Sequence, residues 1–292
     1  MPKLPFSAKS LKYVSVYSVF AAIFLGLLAG CGGKAVRPVL PLQEQYSLAK
    51  KHYDQKKYRQ AVEEFQKLIF NYPGATVVDT AIYYLADSYF NQKDYAAAAG
   101  EFKKIVTNYP NSTWLDEAAF KVALSDMKQS PPAELDQQFT LLALDEFNEF
   151  VETYPDSPLV PQAREKILEL RNKLAKKTYK NGYLYLKTKD YPAALLYFKE
   201  VLENYPDTVW AKEALYQIAE VNRFQNKISE ALEVYKRFVE LYPKDKLASK
   251  CKEKISELEN KKSQHASKNR NLRWNLRPAP FGAFNRSPRG SR

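Results

Sequence analysis

Apolar and polar positions along this chain follow one pattern, written five times. The pair Tyr-Pro occurs at Tyr72-Pro73, Tyr109-Pro110, Tyr154-Pro155, Tyr205-Pro206 and Tyr242-Pro243, and successive prolines lie 37, 45, 51 and 37 residues apart. Eight residues before each proline stands an aromatic: Phe65, Phe102, Phe147, Phe198 or Tyr235. Four residues earlier again stands Ala61, Ala98, Ala143, Ala194 or Ala231. Residues four apart share a helix face, and proline cannot continue a helix, so each block predicts a helix that stops at Tyr-Pro. A second segment precedes each block: EQYSLAKKHYDQ, DTAIYYLADSYFNQ, DEAAFKVALSDMKQ, LAKKTYKNGYLYLKT and KEALYQIAEVNRFQN. The repeated unit is a helical hairpin.

Alanine, aromatic and proline in this order resemble the second-helix signature of the tetratricopeptide repeat. The alanine lets two helices approach closely, and the aromatic one turn on fills the space between them. The expected fold is all-α, a right-handed superhelix of five tetratricopeptide-like helix pairs plus a C-terminal capping helix. Each departure from strict repetition has its own reading. In repeat three, KQSPPAELDQQFT is an inserted loop between the two helices. Before repeat four, VPQAREKILELRNKLAKKTYKNGYLYLKT reads as one lengthened helix, with Gly182 where a close contact is expected. After Pro243, ASKCKEKISELENKKSQ reads as the polar-backed closing helix that an end repeat needs. Leu247, Cys251, Ile255 and Leu258 lie on one face of it, which makes Cys251 a small buried residue in place of a reactive thiol.

Charge changes the picture only at the ends. The formal net charge is +12, yet residues 43–260 hold 31 basic and 33 acidic side chains, and Lys261–Arg292 holds nine basic residues and no acid. At the N-terminus a short basic region precedes an uncharged run of seventeen residues from Tyr13 to Ala29, the layout of a secretory signal. Leu28-Ala29-Gly30-Cys31 resembles the bacterial lipobox, which implies cleavage between Gly30 and Cys31 and a covalent lipid on Cys31. Each buried methylene contributes about 0.8 kcal/mol, so two or three acyl chains anchor a protein stably. The expected organisation is residues 1–30 signal peptide, 31–42 lipidated tether, 43–262 five-repeat domain and 263–292 disordered basic tail.

Candidate chemistry is sparse. Two histidines, His52 and His265, make no metal cluster or dyad, and the carboxylate pairs lie at ordinary helix-surface positions. An enzyme, a metal and a cofactor beyond the lipid are not expected. The first helices instead carry a stripe of rings at Tyr46, Tyr83, Phe120, Tyr179 and Tyr216, followed two turns on by Tyr53, Phe90, Met127 and Leu186. Lys50, Asp87 and Asn91 interleave with these residues. The stripe has two readings. Its rings are either inter-helix packing or, at Tyr46, Tyr53, Tyr83, Phe90 and Phe120, a groove for an extended, aromatic-rich peptide.

Lipobox, short tether and five repeats together resemble the ComL/YfiO (BamD) family of outer-membrane assembly lipoproteins. The most telling portion is the repeat-three insertion, then FNEFVETYPDSPLVPQAREKILELRNKLAKKTY, then a fourth repeat closing on LENYPDT. The resemblance implies a lipid-anchored scaffold on the periplasmic face of the outer membrane, part of the β-barrel assembly machinery. It implies that the N-terminal repeats capture unfolded outer-membrane protein precursors. The C-terminal repeats would grip the periplasmic domains of a BamA-type barrel protein. Another envelope system, a secretin pilotin or a cell-wall and division coordinator, is the rival reading. Export makes nucleic acid a poor partner for the basic tail, and an acidic surface a better one.

Overall fold

The computed structural model describes the backbone of residues 39–275 and the side chains of residues 39–264. The signal segment, Gly30 and Cys31, and residues 276–292 lie outside the described residues. The chain divides into two units, Met1–Glu44 and Gln45–Arg292, and the second carries the repeats.

Eleven helices are described, and no strand occurs among the described residues. Helices α1 (Leu42–Asp54) and α2 (Tyr58–Asn71) form the first pair, and α3 (Val78–Asn91) and α4 (Tyr95–Asn108) the second. Next come α5 (Leu115–Gln129) with α6 (Gln138–Thr153), then α7 (Val160–Lys187) with α8 (Tyr191–Asn204). The last pair is α9 (Val209–Phe224) with α10 (Ile228–Leu241), closed by α11 (Lys246–Asn275). This is the expected superhelix of five tetratricopeptide pairs and a cap, including the inserted loop and the lengthened α7.

The repeat residues are the core. Ala61, Ala98, Ala143, Ala194 and Ala231 are fully buried, as are Phe65, Phe102, Phe147, Phe198 and Tyr235. Burying an aromatic of this size contributes roughly 1.5–3 kcal/mol, and the pattern supplies one per repeat. Each Tyr-Pro is a helix stop with its own hydrogen bonds. The tyrosine N–H closes the last turn, as Tyr72 does on the Leu68 carbonyl and Tyr242 on the Phe238 carbonyl, each at 2.9 Å. The tyrosine carbonyl then accepts from the residue three on, Ser112 to Tyr109 and Ser157 to Tyr154 at 3.0 Å, a β-turn with proline at its second position.

Within four of the pairs the link is three residues long and turns through a left-handed residue: Lys56, Lys93, Lys189 or Asn226, at φ 59° to 66°. The next N–H reaches back five residues, Lys57 to His52 and Asp94 to Tyr89, which completes a Schellman closure. Asp94 and Asp190 then cap the following helices, accepting from the Ala97 and Ala193 N–H groups at 3.2 Å.

Two positions call for comment. Cys251 is fully buried in the last cluster beside Leu247 and Leu258, and burial pushes its thiol up to about 11. The closing helix runs past the expected boundary at Lys262 to Asn275, which corrects the start of the tail. Its sequence holds no glycine or proline from Lys246 to Asn275, and Pro278 follows.

Candidate binding surface on the first helices

The two aromatic stripes have different surroundings. In every repeat the first stripe lies on the buried aromatic of its own second helix. Tyr46 meets Phe65 at a ring separation of 6.4 Å, Tyr83 meets Phe102 at 5.6 Å and Phe120 meets Phe147 at 5.4 Å. Tyr179 meets Phe198 at 5.5 Å and Tyr216 meets Tyr235 at 6.2 Å. Tyr83 is also stacked on Trp114 at 4.0 Å. Tyr83 and Phe120 are each 6 % exposed, so the groove assignment is corrected for these two: their rings are repeat packing. The physical reason is position, since a ring directly opposite the repeat aromatic fills the space between the paired helices. The residue that reveals this lies nineteen further on in four repeats, Tyr46 to Phe65 and Tyr83 to Phe102 among them.

The second stripe stays partly open. Tyr53 is half-buried, edge-on to Tyr58 at 5.9 Å and Tyr84 at 4.8 Å. Phe90 is half-buried against Tyr95 at 5.2 Å. Tyr46 also keeps part of its surface. Two lysines cover these rings: Lys50 lies 5.4 Å above Tyr53 and 4.9 Å above Tyr84, and Lys121 lies 5.0 Å above Phe90.

Asp87 fastens this surface across three repeats. Its carboxylate accepts from the Tyr53 hydroxyl on α1 at 2.6 Å, from Lys121 Nζ on α5 at 2.8 Å and from Asn91 Nδ2 on its own helix at 2.8 Å. Its side chain is largely buried, so the pair with Lys121 is more than a solvated surface contact. The same offset recurs one layer deeper, where the Tyr83 hydroxyl donates to Glu117 at 2.5 Å and the Trp114 indole donates to Thr80 at 3.1 Å. These four bonds each span 34 residues, although the first two repeats are 37 apart. In each, the residue of the earlier repeat meets one that lies a turn before its own counterpart in the next repeat.

Burial raises the Tyr53 and Tyr83 hydroxyls well above the usual phenol range, and their bonds to Asp87 and Glu117 raise them further. Both remain donors at physiological pH. The result is a rigid row of half-exposed rings with lysines over them. Sequence reasoning named Lys50, Asp87 and Asn91, took Glu117 for part of an ordinary surface pair with Asp116, and missed Lys121 and Tyr84; the bond from Tyr83 corrects the reading of Glu117, and the 34-residue offset is the signal for all three.

Repeats four and five carry a second concavity. Tyr183, Leu186, Tyr191, Tyr216 and Phe224 line a cleft of about 610 Å³ with Lys187 and Lys189 beside them. Tyr191 and Phe224 are stacked at 6.3 Å, and the Arg223 guanidinium lies 4.4 Å over Phe224. Arg223 also donates to Glu220 at 2.6 Å.

A protein-family model described as an outer membrane lipoprotein (YfiO) matches residues 40–224, and a tetratricopeptide-repeat model matches residues 213–245. The outer membrane protein assembly factor BamD of Rickettsia prowazekii is 28% identical over 203 residues, covering 68% of this chain and 81% of that protein. The factor of the same name from Caulobacter vibrioides is 27% identical over 208 residues, 70% of this chain and 68% of the other. That of Vibrio cholerae is 29% identical over 101 residues, 35% and 42% of the two chains.

Proposed function

This chain belongs to the YfiO family of outer membrane lipoproteins, and on that premise we propose that it is a scaffold of outer-membrane protein assembly, acting by binding and without a catalytic step. Lipid on Cys31 anchors it to the periplasmic face of the outer membrane. The first helices of repeats one to three receive unfolded barrel precursors, and repeats four and five hold a BamA-type barrel protein through its periplasmic domains.

The observation that carries this reading is the row of Tyr53, Phe90, Lys50 and Lys121, locked in place by Asp87 across three repeats and lying inside the span that the family model matches. A preorganised surface orders few of its own side chains on binding, so its apolar contacts are realised as affinity. Half-exposed rings offer apolar area to an extended segment rich in aromatics, and the overlying lysines offer donors to its terminal carboxylate. The cleft at Tyr183, Tyr191 and Phe224 is separate from this row and gives a second partner its own surface.

The test is purification of the native, lipidated protein with identification of what accompanies it. A barrel protein with periplasmic repeat domains is the expected companion. A secretin ring or a cell-wall synthase in its place would overturn the proposal.

A further inference from the structure

The turns of this molecule separate charge, although the repeat domain as a whole is near neutral. Each pair runs out and back, so the links within pairs lie along one edge of the repeat stack and the Tyr-Pro turns along the other. Between helices, the Tyr-Pro edge carries Asp156, Asp207 and Asp245 against Lys244. On the opposite edge the four short links carry Lys56, Lys57, Lys93, Lys189 and Lys227. All five lysines are exposed, and among the described residues none forms an ion pair. The acids beside them are already engaged. Asp94 and Asp190 accept from helix N–H groups, and Asp54 pairs with Lys50. In the longer link of repeat three, Glu134 pairs with Lys180 and Asp136 accepts from the Gln138 N–H.

Three of these lysines stand where the backbone favours another residue. Lys56, Lys93 and Lys189 are the left-handed residues of their turns, at φ 59°, 66° and 62°, a conformation that glycine adopts without strain. Lysine recurs there three times against local preference, which points to a use for its charge. The same edge has a concave part. An open cleft of about 610 Å³ at the links of repeats one and two is lined by Lys56, Lys57, Tyr58, Arg59 and Gln92, with Glu63 its one acid. Tyr58, Tyr95 and Tyr191 open second helices on this edge, and each is half-buried. Helix α11 ends here too, since it follows a second helix as each first helix does, and Lys262 Nζ reaches Ser229 at the start of α10 at 3.4 Å. From there to Asn275 its sequence adds Lys268, Arg270 and Arg273 and no acid.

We propose that this edge lies against the headgroups of an anionic phospholipid bilayer. Lysine and tyrosine both suit that boundary, where the stem or ring meets the apolar layer and the polar end stays at headgroup level. Each lysine near such a surface adds to the attraction, and the acidic Tyr-Pro edge is repelled from it. The family is one of outer membrane lipoproteins, which brings a bilayer within reach. The proposal rests on the lipid anchor at Cys31 and adds an orientation to it. The eleven residues from Cys31 to Pro41 span up to about 35 Å when extended, against the roughly 20 Å length of α1, so the anchor alone leaves either edge free to face the membrane. Because the lipid confines the chain to the surface, weak attractions spread along one edge are enough to orient it.

The test uses the full-length, lipidated protein in vesicles of phosphatidylcholine with and without phosphatidylglycerol. A fluorophore is attached through Gln55→Cys on the lysine edge or Asn111→Cys on the Tyr-Pro edge, both exposed positions; Cys251 is buried and lipid occupies Cys31. Quenching by lipid with a nitroxide headgroup is expected to be about twofold or more stronger for the Gln55→Cys label when phosphatidylglycerol is present. The two labels should quench equally in phosphatidylcholine alone and in high salt. Lys56→Gly, Lys93→Gly and Lys189→Gly combined suit the turns, so the melting temperature should hold while the difference between the labels disappears. Equal quenching with phosphatidylglycerol present, or a difference that survives the triple variant, would overturn the proposal. Failure to float with either vesicle would instead overturn the anchor, and the orientation with it.

Discussion

Two glycines show how far one atom decides an outcome in this molecule. A Cβ on Gly182 would meet Phe198 Cε1 at 2.9 Å and Tyr197 Cβ at 3.1 Å, while one on Gly100 would meet nothing within 4 Å. Alanine is the better helix former by about 0.5–1 kcal/mol, so Gly100→Ala should raise the unfolding free energy by that amount. Gly182→Ala should lower it by about 1–3 kcal/mol despite the same propensity gain, because Phe198 is fully buried and cannot retreat. Urea titration of the two variants separates them. Tyr53→Phe keeps the ring and removes one donor to the Asp87 carboxylate, which retains Lys121 and Asn91. It should cost about 1–2 kcal/mol by the same measurement. At this scale the sequence was readable where a residue type has one use, as alanine and proline do here. Tyrosine has several uses, so Tyr46, Tyr53 and Tyr83 looked alike until their neighbours Phe65, Asp87 and Trp114 were known.

The third pair is the element that departs most from its sisters. The inserted loop and the 28-residue α7 were both legible, because proline punctuation ends one segment and its absence extends the other. Their attachment was not legible, since it depends on long side chains meeting 42 or more residues away. Lys177 Nζ donates to the Leu135 carbonyl at 2.6 Å, Lys173 Nζ donates to Ser130 Oγ at 2.6 Å and Lys180 pairs with Glu134. Buried Gln137 shares its amide protons among the carbonyls of Pro132, Leu135 and Asp136 at 2.8, 3.0 and 3.2 Å. Gln137→Ala should open the loop, with proteolysis between residues 131 and 137 accelerated while the helical circular dichroism is unchanged.

The same pair gives a pH dependence with a definite sign. Glu146 sits at about 8 in the folded protein against an ordinary 4.5, so the folded state holds the extra proton between those values. Stability should therefore fall as pH rises from about 4.5 to 8 and level off above that. Glu146→Gln should remove this slope, with melting temperatures matching wild type near pH 5 and exceeding it at pH 8.

Across the whole molecule, the fold was readable because repetition multiplies a weak local signal five times over. The surfaces were harder, since a ring that packs and a ring that binds obey the same helical spacing. The partly open Tyr53 and Phe90 differ from the buried Tyr83 and Phe120 in lying two turns along the first-helix stripe, away from the repeat aromatic that covers the buried rings. Attachment to the membrane has an independent check. Cys31→Ala should leave the protein in the soluble fraction after cell lysis, and unchanged sedimentation with membranes would rule out the lipid anchor. The central claim is that the Tyr53–Phe90 row receives barrel precursors, and site-specific photo-crosslinking in growing cells tests it most directly. A photoreactive phenylalanine analogue at Phe90 should capture newly exported barrel precursors. The same analogue at Phe70, 84 % exposed on α2, should capture none. Absence of precursor at Phe90, or equal capture at both positions, would contradict it.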